Sequence, residues 1–270
     1  MKKILSILMT ICLLASALSV SAFAALLETL DAVPVGAVLR VSALKKTASD
    51  TMETQVLKDF ASFQDGWNYA MKIAGDDDEM DDNQYERIVV DIYADWTADK
   101  SGDFTDEIWN GKGFKNDTIY VPADAKVTLN LNGHKIDRDN GNNWNGEVLY
   151  VSANADVVIN DGTITGGNSR TGASGIYIND NASVVLNDVK VDDNSAIGGT
   201  NGAAIAVYNG ATLVMNGGSL SDNFMDRDTI PLVNIPLYPY GTLYVNDATA
   251  TLSNVTISNN TVGDVEAEGV

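Results

Sequence analysis

Ala155-Asp-Val-Val-Ile159-Asn-Asp-Gly-Thr-Ile164 returns as Ala182-Ser-Val-Val-Leu186-Asn-Asp-Val-Lys-Val191, then as Ala211-Thr-Leu-Val-Met215-Asn-Gly-Gly-Ser-Leu220 and Ala248-Thr-Ala-Thr-Leu252-Ser-Asn-Val-Thr-Ile257. Each line starts on Ala, runs through apolar residues, turns at Asn, Asp, Gly or Ser, and ends on an aliphatic. An earlier copy, Ala125-Lys-Val-Thr-Leu129-Asn-Leu-Asn-Gly-His-Lys-Ile136, has two extra residues at the turn. The aliphatics at 129, 159, 186, 215 and 252 are 30, 27, 29 and 37 residues apart. Repeats of that length are read as stacked units.

A second strand family precedes each Ala-led line: Ile119-Tyr-Val121, Leu149-Tyr-Val151, Ile176-Tyr-Ile178, Ile205-Ala-Val207 and Leu243-Tyr-Val245. Strand side chains alternate, so the flanking aliphatics point to the core and the central residue points out. The predicted core therefore holds these pairs, together with Ile159, Leu186, Met215 and Leu252 and the closing Ile164, Val191, Leu220 and Ile257. Equivalent residues recur in one order and direction, so stacking gives parallel sheets. Residues 118–257 show no helical pattern between strands, which argues against a wound α/β fold.

The sequence divides as follows. Residues 1–24 read as a signal peptide: Lys2 and Lys3, an apolar Ile4–Leu18 and Ala22-Phe-Ala24 as the cleavage site. Residues 25–117 form an N-terminal segment and cap, with an edge strand in 37–43, a helix about 54–74, an acidic loop at 76–82 and a strand about 87–94. Trp109 and Phe114 are possible anchors. Residues 118–262 carry the coils, with a proline-rich loop insertion at 224–240, and 263–270 form a tail. The fold class predicted is all-β: a right-handed parallel β-helix of about five coils with a helix-containing N-terminal cap.

Composition narrows the function. The 17 basic residues, less Lys2 and Lys3, leave 15 against 37 acidic ones, a net of about −22. That charge argues against nucleic acid and anionic membrane as partners. No stretch after the signal is long and apolar enough to span a bilayer. The single cysteine, Cys12, lies in the signal, so the mature chain has no thiol chemistry and no disulfide.

The coil rhythm resembles the right-handed parallel β-helix, or pectin-lyase-like, superfamily over about residues 60–262. It is most similar to repeat-bearing secreted and surface proteins of Gram-positive bacteria. The resemblance rests on Ala206-Val-Tyr-Asn-Gly-Ala-Thr-Leu-Val-Met-Asn-Gly-Gly-Ser-Leu-Ser-Asp-Asn223, on Ile119 through Arg138 and on Phe63-Gln-Asp-Gly-Trp67 opening a cap helix. It implies the fold and an extracellular or cell-surface location. It implies little about activity, because the fold hosts lyases, hydrolases and adhesins.

Four sets of residues are site candidates. Tyr120, Tyr150, Tyr177 and Tyr244 share one outward slot, broken at Ala206. They suit either stacking on sugar rings or packing on one another. Lys190, Asp192 and Asp193 are the only catalytic candidates, and one Lys–Asp pair among Ser and Thr does not supply the convergent carboxylates of polysaccharide cleavage. His134 reads as a turn residue. Asn130, Asn160, Asn187 and Asn216, and separately Asn194, Asn223 and Asn260, read as amide ladders. No cofactor or metal site is expected, with calcium loosely held by the acidic run 76–82 as the alternative. The expected role is a non-catalytic scaffold binding glycan, polysaccharide or another surface component. The alternatives are a polysaccharide lyase or glycoside hydrolase, and a fragment of a larger adhesin.

Overall fold

The computed structural model describes residues 33–98, 118–139, 146–169, 173–196, 202–226 and 241–263. The signal peptide, Trp109 and Phe114, most of the 224–240 insertion and the tail past Gly263 lie outside them. The chain divides after Gly36, and the unit from Ala37 holds all the described strands. That unit is all-β, with parallel sheets and two short helices.

The longest sheet begins with an antiparallel layer. Strand β1 (Leu39–Lys46) lies between β2 (Met52–Phe60) and β3 (Tyr85–Ile92). Five Ala-led strands follow in parallel: 126–130, 156–165, 183–191, 212–216 and 249–253. Their register runs Leu129, Ile159, Leu186, Met215, Leu252, each opposite the next. A second sheet stacks Ile119–Val121, Leu149–Val151, Ile176–Ile178, Ile205–Tyr208 and Leu243–Asn246. A third pairs Asn168–Ser169, Ser195–Ala196, Phe224–Asp226 and Thr261–Gly263.

Left-handed backbone at repeated corners explains the turn residues. The position before each leading Ala is left-handed in all five lines: Asp124, Asn154, Asn181, Gly210 and Asp247. Asn132, Asp161, Asp188, Gly217 and Asn254 make the second corner, and Gly166, Asp193, Asp222 and Asn259 the third. An ordinary side chain is strained there, whereas Gly is free and Asn or Asp can bond to nearby backbone. The chain therefore turns where the sequence places these types, and the aliphatics between corners all face one interior. Ile159, Ile164, Leu186, Val191, Met215 and Leu220 are fully buried in it.

The N-terminal part differs from its sequence reading. The predicted helix over 54–74 starts only at α1 (Phe63–Ala74), because 52–60 pairs with β1 instead. The three-and-four spacing of Val56 and Phe60 goes unused; cross-strand pairing overrides local helical preference. Arg40 locks the pair by donating two hydrogen bonds to Asp59, at 2.7 and 3.1 Å. The strand expected in 37–43 is central rather than at an edge, which is why Leu39, Val41 and Ala43 are fully buried. Ser62 starts α1 by accepting from the Asp65 amide. Phe63, Trp67, Ala70, Met71 and Ala74 then form its buried face. The acidic loop at 76–82 is instead a short helix, α2 (Asp77–Asp82), capped by the Asp76 carboxylate. Acidic residues in a first turn complement the helix dipole.

Strand β3 acts as a further rung. It runs parallel to Lys126–Asn130, with Val90 opposite Leu129 and Asp91 opposite Asn130. At the other end the predicted core thins. Leu243 and Leu252 are only half-buried, and Val245, Ile257 and Val262 are 41, 56 and 44% exposed. These residues have the right parity, but no described strand lies beyond them. Among the described residues no helix is long and apolar enough to cross a membrane.

Candidate functional site

The tyrosine row is an extended outward feature. Register places Tyr120, Tyr150 and Tyr177 side by side, then Ala206, then Tyr244. The row is not broken, however. Tyr208, two residues beyond Ala206 and of the same parity, swings its ring over the alanine and fills the gap. Ring centres lie 5.6, 4.9, 4.9 and 5.5 Å apart from Tyr120 through Tyr150, Tyr177 and Tyr208 to Tyr244. The first three pairs are stacked and the last is tilted at 59°. Tyr208 is 9% exposed and packs with Ala173 and Ala206 outside the main core. Ring faces are thus spent largely on each other, and the outer flank of the row consists of ring edges and hydroxyls. Asn179 donates to the Tyr150 hydroxyl at 3.0 Å. The signal for Tyr208 was its i+2 spacing from the smallest residue in the row.

Glu147 lies beside this row and escaped the sequence reading. It is 5% exposed, in a slot filled by Ser174 in the next repeat. Burial pushes its carboxyl up to about 7, and Arg138 opposes that rise. Tyr150 is held well above the ordinary phenol range, first by burial and then by Tyr177 and Glu147. Tyr177 is raised by burial and by Glu147. A folded-state value above the unfolded one means that the native chain holds the extra proton. Stability from this group is full below about 4.5 and is lost as pH rises to about 7. The loss is on the order of 3 kcal/mol. Glu147→Gln is expected to flatten that fall, seen as urea midpoints at pH 5 and 8 that differ less than in the parent.

The catalytic candidates do not converge. Asp192 ties repeat to repeat: it accepts from the Ser219 hydroxyl at 3.0 Å and from the Ser221 amide at 3.0 Å. Burial raises its carboxyl, and those hydrogen bonds and Lys190 lower it in part. Lys190 is exposed, flanked in register by Thr163 and Ser219. Asp193 is an exposed corner residue with left-handed backbone, equivalent to Gly166, Asp222 and Asn259. Its type is accounted for by that conformation.

Both amide ladders are present. On the outside, Asn160 donates to Asn130, Asn187 to Asn160 and Asn216 to Asn187, at 2.8, 2.8 and 3.0 Å. Asn130 in turn donates to Asp91, which extends the ladder onto β3. On the inside, the Asn223 side chain accepts from both the backbone and the amide of Asn194 at 3.1 Å, and donates to Asn260, Val191 and Ser221. His134 meets Asp95 at 3.1 Å, and Asp95 also accepts from the Lys135 amide. That backbone bond, then His134, holds Asp95 below the usual carboxylate range. Among the described residues no three His, Cys, Asp or Glu side chains come together as a metal-holding group. A polar groove of about 570 Å³ lies between the β1–β2 turn, α2 and Lys126; it is lined by Asp77 and Asp81 of the acidic run 76–82 and by none of the tyrosine or catalytic candidates.

Comparison with family models, curated proteins and solved structures finds no significant match.

Proposed function

We propose that the chain is an exported right-handed parallel β-helix of about five coils, closed at its N-terminal end by the helix-bearing segment. On this reading it is a non-catalytic scaffold at the cell exterior that binds glycan or another surface component along the tyrosine row. The observation that carries the reading is register: equivalent residues of successive repeats pair directly in all three sheets. The resemblance to pectin-lyase-like surface proteins, the acidic charge and the cysteine-free mature sequence support it. Because the rings face each other, a bound polymer meets their edges and hydroxyls. Contacts repeated at a coil rise of about 4.8 Å favour an extended chain laid along the row, with weak contacts adding through avidity.

Affinity electrophoresis in plant and host polysaccharides tests this reading. The parent is expected to be retarded in at least one gel, with Tyr150→Ala, Tyr177→Ala and Tyr208→Ala retarded less. A parent that migrates freely in every gel removes the glycan reading. Release of unsaturated or reducing ends from any uronan by the purified protein removes the non-catalytic one.

A further inference from the structure

We propose that the tyrosine row is a site of oxidative modification, at which a one-electron oxidant joins the rings of Tyr150 and Tyr177 as dityrosine and staples one repeat to the next. The two residues are register partners on parallel strands, so hydrogen-bonded backbone fixes the roots of both side chains. Their ring centres lie 4.9 Å apart and their planes differ by only 5°. Both rings are half-buried, with edges and hydroxyls on the outer flank of the row.

In a phenoxyl radical the unpaired electron occupies p orbitals normal to the ring, shared by the oxygen and the ortho and para carbons. Parallel stacking aims those orbitals at the neighbouring ring. Tyr120 and Tyr208 continue the stack on either side, at 5.6 and 4.9 Å and 24° off parallel. Tyr208 and Tyr244 are tilted by 59°. An electron lost from an outer ring is replaced from its neighbour, so oxidation anywhere along the stack reaches the middle pair, where the planes are most nearly parallel.

Each of the two rings gives up one electron and its phenol proton, which passes to water. A bond then forms between one ortho carbon of each ring. The hydrogen displaced from each of those carbons returns to a phenol oxygen through water, which restores both phenols. Two electrons and two protons leave in all. A haem peroxidase carries them to hydrogen peroxide, which becomes two molecules of water. Separate surface tyrosines couple only when two molecules collide. A pair already held in contact needs no collision, and the step is effectively unimolecular. The only cysteine is Cys12, so no disulfide can form within the chain. A link between positions 27 apart restricts the unfolded chain as a disulfide would. The inference uses ring geometry alone and is independent of glycan binding.

Oxidation of the purified, folded chain with a haem peroxidase and hydrogen peroxide tests it. The readouts are dityrosine fluorescence, denaturing electrophoresis and mass mapping of a proteolytic digest. The expected product is a monomer two hydrogens lighter, with the peptides of Tyr150 and Tyr177 joined and a yield per chain independent of protein concentration. Its urea midpoint should lie above that of the untreated chain. Tyr177→Phe keeps the ring and the stack but forms no phenoxyl radical, and should lower the intramolecular yield at least about tenfold. Tyr93→Phe, outside the row, should leave it unchanged. Circular dichroism establishes that both variants fold. A folded parent that gives no dityrosine, cross-links only between chains, links that join other tyrosines and not this pair, or an undiminished yield in Tyr177→Phe overturns the proposal.

Discussion

Asn223→Ala is expected to destabilise the fold by about 3–5 kcal/mol, far more than an exposed asparagine normally costs. Asn223 is 1% exposed, and its side chain serves five hydrogen bonds at once. Its amide nitrogen satisfies the Val191 and Ser221 carbonyls, and its oxygen takes both protons offered by Asn194. Alanine removes all of this and leaves several buried polar groups without partners, each at about 1–3 kcal/mol. The groups cannot turn to water, because the corner between the long sheet and the third sheet is buried. Asn216→Ala is the control. It removes one rung of the outer ladder, where the side chain is exposed and water replaces the lost bond, so about 0.5–1 kcal/mol is expected. Urea unfolding followed by circular dichroism measures both. Equal costs would mean that the inner ladder is no more than a surface feature.

The same contrast explains what the sequence made legible. Three independent requirements recur in each repeat: a left-handed corner, an inward aliphatic and a ladder asparagine. Ile159-Asn160-Asp161 and Leu186-Asn187-Asp188 meet all three in a row, so the line is recognisable even where single residues drift. Strand β2 meets none of them. Its side chains are mostly exposed and its partner is β1, so nothing in its own pattern announces a strand, and Val56, Leu57 and Phe60 fit a helical period by coincidence. Strand β3 carries the inward aliphatic at Val90, but Asp91 replaces the asparagine and no leading alanine precedes it. Burial in the last repeat was illegible for a different reason. Parity reports which way Ile257 points and carries no information on whether another strand lies above it.

The candidate site was legible to a similar depth. Alternation correctly turned Tyr120, Tyr150, Tyr177 and Tyr244 away from the main core. It could not show that Tyr208 crosses to the Ala206 position, because alignment compares slots and a ring 4.9 Å from its neighbour occupies space. Glu147 was missed because a lone acid ahead of a strand reads as solvated, and only packing against the preceding and following repeats buries it. Asp192 and Asp193 were visible as charges, but their work, accepting from Ser219 and Ser221 in one case and turning the chain in the other, depends on neighbours 27 or more residues away or on backbone angle.

Leu186→Ala is expected to cost about 3–5 kcal/mol, and the size follows from where the residue is held. Leu186 is fully buried, with Ile159 directly on one side in register and Met215 on the other. Removing its branched end leaves a cavity, and the strands cannot close it because hydrogen bonds to both neighbours fix their separation near 4.8 Å. Leu252 occupies the same slot in the last repeat but has only Met215 beneath it and is half-buried. Leu252→Ala should therefore cost about 1 kcal/mol. Urea unfolding midpoints of parent, Leu186→Ala and Leu252→Ala measure the contrast. A Leu186→Ala chain within about 1 kcal/mol of the parent would mean that the interior is not packed as a column.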